Sequence, residues 1–310
     1  MRRKVSIIGA GFVGSTAAYS LLISGACSEI VLIDVNKQKA KGEAMDLKHG
    51  MQFVHQSKIR FGEDYRLCKG SSIVIICAGA GQKPGETRLD LVKKNAAIFK
   101  DMIPKITKHC KDCILLVVSN PVDVLTYIAM EYSGFPPERV FGTGTVLDTA
   151  RLRYHLGEHY NVSASSVHAY ILGEHGDSEF PVWSSARIGG APLKSMKEYS
   201  KNDMDRIAKE TKNAAYEIIT TKGATYYAIG LVITKIVKAV FSDSNEVMPV
   251  STRLDGYYGI RDVCLSVPCV VGSNGIDKQL LIPLNATEKR SLRKSANILR
   301  STIKEVMVKK

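Results

Sequence analysis

The sequence is short of acid. Against 43 Lys and Arg it sets 30 Asp and Glu, so its 310 residues carry a formal charge of +13. Such an excess points to an anionic partner: nucleic acid, a membrane surface or small anions. Yet no RNP-like, zinc-finger or helix-turn-helix pattern accompanies it, so a nucleic-acid-binding protein is the weaker reading. Part of the charge is local. Residues 286–310 hold eight Lys or Arg and two Glu, on the outer face of an amphipathic helix. Long apolar runs are also missing. Residues 5–28 are uncharged and follow Met1-Arg2-Arg3-Lys4, like the start of a signal peptide. Ser6, Gly9, Gly11, Gly14, Ser15 and Thr16 interrupt that stretch. Nothing else approaches the roughly 20 apolar residues that span a bilayer. A cytoplasmic protein with no membrane contact is expected.

A disulfide framework is missing too. Cys27, Cys68, Cys77, Cys110, Cys113, Cys264 and Cys269 are odd in number and scattered, as reduced thiols are. Cys110 and Cys113 have C-x-x-C spacing but no second pair at zinc-ribbon distance. His155-Leu156-Gly157-Glu158-His159 matches H-x-x-E-H, a zinc-peptidase pattern. It contains a glycine and has no separate catalytic machinery, so no metal is expected. There is no linker, internal repeat or low-complexity tract. With 45% hydrophobic and 24% charged residues, disorder is excluded.

What is present is an alternation of short apolar runs and helical patterns. Val5–Ile8, Ile30–Ile33, Ile73–Cys77 and Ile114–Val118 read as buried strands. Helices are expected near 12–24, 37–49 and 86–109. This βαβα order predicts a parallel sheet with helices on both faces. The second half differs. Helices are expected near 147–160, 204–221, 226–241 and 287–308, with strands at 167–172, 247–251 and 263–271 around glycine-rich turns. The fold class predicted is α/β: a Rossmann-type doubly wound parallel sheet followed by an α+β substrate domain with antiparallel sheet. The domains are expected at 1–143 and 144–310.

Gly9-Ala10-Gly11-Phe12-Val13-Gly14 is G-x-G-x-x-G between a strand and a helix, the setting its mechanism requires. Gly9 allows the turn, Gly11 lets backbone approach a pyrophosphate, and Gly14 lets helix pack on strand. The helix N-terminus then offers free N–H groups to phosphates. Asp34 lies 20 residues beyond Gly14, at the end of the second strand. A carboxylate there accepts from ribose hydroxyls and repels a 2′-phosphate, which selects NAD over NADP.

Four more segments place polar groups beyond the carboxyl ends of strands, where this architecture puts a site. Ala78–Arg88 is a glycine-rich loop suited to a closing lid, with Gln82 and Arg88 near its ends. Ser119-Asn120-Pro121-Val122-Asp123 follows a strand. Asp148 and Arg151 are i and i+3 on one helix and share a face. His175 sits in a Gly-flanked turn. Each has a dull alternative, as a surface charge, a helix ion pair or a structural histidine; their combination is what suggests chemistry.

In GAGFVG, QKPGETR, SNPVD, GTVLDTARLR, HAYILGEHGDSE and KGATYYAIG the sequence closely resembles the lactate/malate dehydrogenase family, in its L-lactate dehydrogenase branch. The resemblance runs from Lys4 to about Ile303. It implies hydride transfer between nicotinamide C4 and C2 of a 2-hydroxy acid, with His175 as proton donor and acceptor. Asp148 would hold the imidazole and stabilise its charged form. Arg151 would grip the substrate carboxylate with paired hydrogen bonds. Arg88 would close over the C2 oxygen. Asn120 and Thr225 would line the pocket. Val13, Lys39, Tyr65, Gly79, Ala80, Val118, Asn120 and Thr143 would touch the cofactor. The malate branch has arginine where this chain has Gln82. A second substrate carboxylate there would lack a counter-charge, so pyruvate is expected over oxaloacetate. The resemblance further implies a homotetramer and an effector, fructose 1,6-bisphosphate, held by Arg153 and His168 from different subunits. A malate dehydrogenase or other 2-hydroxy acid dehydrogenase and an NAD-binding regulatory protein are the alternatives.

Overall fold

A computed structural model describes residues 3–81, 85 and 87–307, the side chain of Arg88 excepted. The first half alternates β1 (Lys4–Ile8), α1 (Phe12–Ser24), β2 (Glu29–Ile33), α2 (Lys37–His49), β3 (Lys58–Gly62), β4 (Ile73–Ile76), α3 (Arg88–Thr107), β5 (Ile114–Val117), α4 (Val122–Ser133) and β6 (Val140–Gly142). Hydrogen-bonded neighbours run β3-β2-β1-β4-β5-β6, all parallel. Strand order reverses between β1 and β4, which opens a crevice at their carboxyl ends. β1, β2, β4 and β5 are buried along their whole length. That is why they read as continuous apolar runs and not as alternations. Ile7, Leu21, Ile30, Ile75, Phe99 and Ile103 are among the largest side chains fully enclosed in the core.

The second half opens with α5 (Val146–Tyr160) and five two-residue strands: β7 (Val167–His168), β8 (Ile171–Leu172), β9 (Phe180–Pro181), β10 (Arg187–Ile188) and β11 (Ala191–Pro192). Then come α6 (Lys201–Lys222), α7 (Tyr227–Ser242), the hairpins β12 (Glu246–Tyr257), β13 (Ile260–Gly272) and β14 (Gly275–Gln279), and α8 (Ala286–Met307). The hairpins are antiparallel and join the parallel sheet through β12 on β6, giving nine strands.

Two local expectations change. The single strand expected at 167–172 is two short pieces in different sheets, β7 on β10 and β8 on β9. Contacts to α5 divide it: Ile171 N–H donates to Thr149 Oγ1 at 2.9 Å, and Arg153 Nε donates to the Ala169 carbonyl at 3.0 Å. The helix expected over 86–109 begins two residues later: α3 starts at Arg88, where Thr87 and Asp90 form a reciprocal capping box. Helix α4 and strands β3 and β6 had no reading in the sequence. Eight of the twelve residues of α4 are buried, so it lacks the polar face that makes a helix recognisable.

Candidate active site

The turn from β1 into α1 is shaped by its three glycines. Gly9 has φ of +97°, and its N–H donates to the Ile33 carbonyl at 2.7 Å. A Cβ on Gly14 would stand 1.9 Å from the Gly9 carbonyl oxygen. Gly11 is different: a Cβ there would meet nothing nearer than Lys39 Nζ at 4.0 Å. Two glycines are thus demanded by packing, while the third leaves space in front of the helix N-terminus. Asp34 closes the same corner. Its carboxylate accepts from Ala10 N–H at 2.7 Å and from Asn36 N–H at 2.8 Å. A hollow of about 270 Å³ lies here, lined by Gly9, Gly11, Asp34, Lys39, Tyr65 and Gly79 among others. Open glycine backbone, an N-terminal helix end and a carboxylate at the second strand fit a dinucleotide with free ribose hydroxyls. The remaining expected cofactor contacts are outside the residues that line this hollow. Val13 and Ala80 are half-buried, and Val118 and Thr143 are buried. Val118 N–H donates to Ile76 O and Thr143 N–H to Val117 O, each at 2.9 Å.

A second cavity, about 470 Å³, is lined by Asn120, Asp148, Arg151, His175, Glu179 and Lys212 together with apolar residues of α3 and α6. Asp148 is its hub. Its Oδ2 meets His175 Nδ1 at 2.6 Å, and its Oδ1 accepts from Arg151 Nη1 at 2.8 Å. The helix spacing of Asp148 and Arg151 makes the second contact. The first depends on the β8 turn reaching across to α5. That turn is pinned to β13, where Gly173 and Ser266 exchange backbone hydrogen bonds of 3.1 and 2.9 Å. Behind it, buried Asp123 at the start of α4 accepts from His175 N–H at 2.8 Å and from Ser251 Oγ at 2.6 Å. His175 is thereby fixed at ring and backbone by two carboxylates.

Electrostatics follow from this arrangement. Burial alone would lower the His175 pKa. The charge and hydrogen bond of Asp148, with smaller contributions from Asp123 and Glu179, outweigh it and lift the imidazole to about 9. Burial would raise Asp148, but His175 and Arg151 hold it below the usual carboxylate range. Asp123 goes the other way, pushed up to about 6 chiefly by burial. The site therefore offers a charged imidazole beside a guanidinium at neutral pH, a combination suited to an anion that also takes up a proton.

The structure brings together His175, Asp148, Arg151 and Asn120. Thr225 stands half-buried in the turn between α6 and α7, outside the residues lining this cavity. Gln82 and the Arg88 side chain lie outside the described residues. Arg153 is half-buried, bonded to Ala169 O and 5.3 Å from the Tyr170 ring centroid. His168, one residue before Ala169, is exposed on β7. Asp123, Glu179 and Asn95 were not singled out from the sequence. Asn95 is buried on α3; its Oδ1 accepts from Ala80 N–H at 2.7 Å, and its Nδ2 donates to Asn120 O at 3.0 Å. It ties Ala80 to the Asn120 turn. A polar residue on the buried face of α3 was its only sequence signal. Asp123 lay inside the quoted SNPVD segment but carried no role there.

Other features of the sequence lie elsewhere in the fold. All seven cysteines are free, and Cys113 Sγ donates to Cys110 O at 3.3 Å. His159 packs edge-on against Tyr160, with ring centroids 4.7 Å apart. Among the described residues, no helix is long and apolar enough to cross a membrane. A hollow of about 590 Å³ lies at the antiparallel end of the sheet, around Arg253 and Asp262, which pair with each other.

A dinucleotide crevice at the switch point, beside a carboxylate-held histidine and an arginine, defines the class: an NAD-dependent oxidoreductase. Comparison with known proteins takes this further. Residues 3–142 match the lactate/malate dehydrogenase NAD binding domain, and residues 145–310 match the lactate/malate dehydrogenase alpha/beta C-terminal domain. The L-lactate dehydrogenase of Acetivibrio thermocellus is 55% identical over 310 residues, covering 97% of this chain and 96% of that protein. The L-lactate dehydrogenase of Clostridium botulinum is 53% identical over 305 residues, with the same coverage. Two solved structures superpose with TM-scores of 0.96. One is a lactate dehydrogenase from a Medee basin deep-sea metagenome library, 44% identical and covering 99% of this chain and 100% of that one. The other is the minor L-lactate dehydrogenase of Enterococcus mundtii in ligands-bound form, 43% identical and covering 99% of both. The chain belongs to the lactate/malate dehydrogenase family.

Proposed function

We propose that this enzyme is an L-lactate dehydrogenase, reversibly reducing pyruvate to (S)-lactate with NADH. The observation carrying the reading is the shared Asp148 carboxylate, 2.6 Å from His175 Nδ1 and 2.8 Å from Arg151 Nη1 on one pocket wall. Bound NADH supplies the hydride to C2. Arg151 holds the substrate carboxylate with parallel N–H···O bonds, and so fixes C2. His175, charged below about pH 9, donates the proton that the C2 oxygen needs as the carbonyl bond is reduced. Asp148 keeps Nδ1 protonated and leaves Nε2 for the substrate. In the reverse direction the neutral imidazole takes the hydroxyl proton. Asn120 bonds the substrate oxygen, and Arg88 polarises the C2 oxygen when the 78–88 loop closes. We assign residues 1–143 to the cofactor and 144–310 to the substrate.

Pyruvate is favoured over oxaloacetate because Gln82 offers no counter-charge to a second carboxylate, which would be desolvated unpaired. The fuller reading is a cytoplasmic homotetramer of fermentative glycolysis, activated by fructose 1,6-bisphosphate. Exposed Phe12, Tyr19, Ile23 and Leu231 support assembly as apolar surface in need of cover. Arg153 on α5 and His168 on β7 are basic side chains of the kind that bind sugar phosphates. Steady-state rates with NADH test both parts. The kcat/KM for pyruvate exceeds that for oxaloacetate by at least 100-fold; a preference for oxaloacetate would move the chain to the malate branch. The bisphosphate lowers the pyruvate KM several-fold in wild type and not in Arg153→Gln; an indifferent wild type at pH 5.5 and 7.5 would remove the effector.

A further inference from the structure

Three ionisable groups, not two, meet at the wall of the reaction pocket. One carboxylate oxygen of Glu179, one of Asp148 and one ring nitrogen of His175 all lie within 4.8 Å of one another. Glu179 is half-buried and lines the same cavity as Arg151. Its charged surroundings come from two helices and its own loop. Asp148 and Arg151 face it from α5. Lys212 and Tyr216 stand on α6, where Lys212 Nζ donates to Asp177 O at 2.6 Å and Tyr216 OH to Asp177 Oδ1 at 3.2 Å. His175 and Asp177 lie beside it in sequence.

Two carboxylates this close, in a pocket partly closed to water, do not both ionise freely. Burial, then the Asp148 charge, raise Glu179 to about 8, against the pull of His175, Arg151 and Lys212. Neutral Glu179 leaves the Arg151 guanidinium free to attract an anion. Ionised Glu179 places a second negative charge beside it, competing for Arg151 and repelling an incoming carboxylate.

We propose that Glu179 gates substrate affinity by its charge: the substrate carboxylate seats on Arg151 only while Glu179 is protonated. The inference rests on the reading of Arg151 as the carboxylate grip. It makes Glu179 a positioning residue acting through Arg151, with no part in the proton transfer itself.

If binding needs both the His175 and the Glu179 proton, two protons are taken up per anion once both groups titrate. Oxamate, an unreactive amide analogue of pyruvate, reads this in the enzyme–NADH complex. Between pH 9.5 and 10.5 its Kd rises about 100-fold in wild type, about tenfold in Glu179→Gln, and again about 100-fold in Glu179→Asp, following linked proton uptake. The pyruvate KM follows the same slopes. A tenfold rise in wild type, or equal slopes in wild type and Glu179→Gln, would overturn the gate. Calorimetry of wild type at pH 9.5 in buffers of different ionisation enthalpy gives the same answer without any variant: more than one proton per oxamate is expected, and one or fewer refutes it. Arg151→Gln reports on the underlying grip separately. It weakens oxamate at every pH, and undiminished binding would overturn the grip, and with it the gate.

Discussion

Asp148 is the residue on which the reaction pocket turns, because both of its oxygens are committed. Asp148→Asn keeps the shape and removes the charge. The His175 midpoint then falls from about 9 toward its ordinary value, and Arg151 loses its anchor. The expected loss in pyruvate kcat/KM at pH 7 is about 100-fold or more, by analogy with other carboxylate-held histidines. The pair also marks stability. A histidine whose pKa is raised on folding contributes fully below its unfolded value near 6.5, and that contribution is lost as pH rises through about 9. Thermal melts therefore show a larger fall in wild type than in Asp148→Asn between pH 6.5 and 9. Parallel pH dependences would show that the pair does not couple to folding. The residues we assign to this chemistry were legible one by one: Asp148 and Arg151 through helical spacing, His175 through its glycine-flanked turn. Glu179 and Asp123 were not, because a lone acid carries no signal until its neighbours in space are known.

At the scale of elements, the β1–α1 turn separates two kinds of glycine. Gly14→Ala drives a Cβ to 1.9 Å from the Gly9 carbonyl, so helix and strand must part, at a cost of about 2–3 kcal/mol. A melting temperature lower by several degrees is expected. Gly11→Ala has room in the protein itself, yet its methyl group points into the crevice meant for the pyrophosphate. Its melting temperature stays within about a degree of wild type, since surface changes cost little, while NADH binding weakens at least tenfold. Titration of NADH fluorescence and calorimetric melts separate the two; similar behaviour of both variants would refute the assignment. The motif and its strand–helix setting were visible in sequence. The division of 167–172 into β7 and β8 was not, because Thr149 and Arg153 on another element decide it.

At the scale of the whole molecule, the +13 charge divides between cations with local partners and the rest. Arg151 is bound to Asp148 and Arg153 to a backbone carbonyl, so some cations have local partners. We expect the rest to form a diffuse positive field that draws in small anions and is screened within about 10 Å at 0.1 M salt. Raising KCl from 0.05 to 0.5 M lowers the pyruvate kcat/KM about two- to fivefold, mainly through KM. A rate independent of salt would remove long-range attraction from the account.

The sequence by itself determined four of the six parallel strands and the dinucleotide crevice. Buried strands, the glycine turn and Asp34 are written in runs of adjacent residues, where steric and hydrogen-bonding demands are local. Tertiary structure alone decided how the site is assembled. Asp148 reaches His175 from 27 positions away, and Asp123 from 52, because the β8 turn folds over α5 and is pinned to β13. Only that closure puts Glu179 beside Asp148, and charge acts through space, not along the chain.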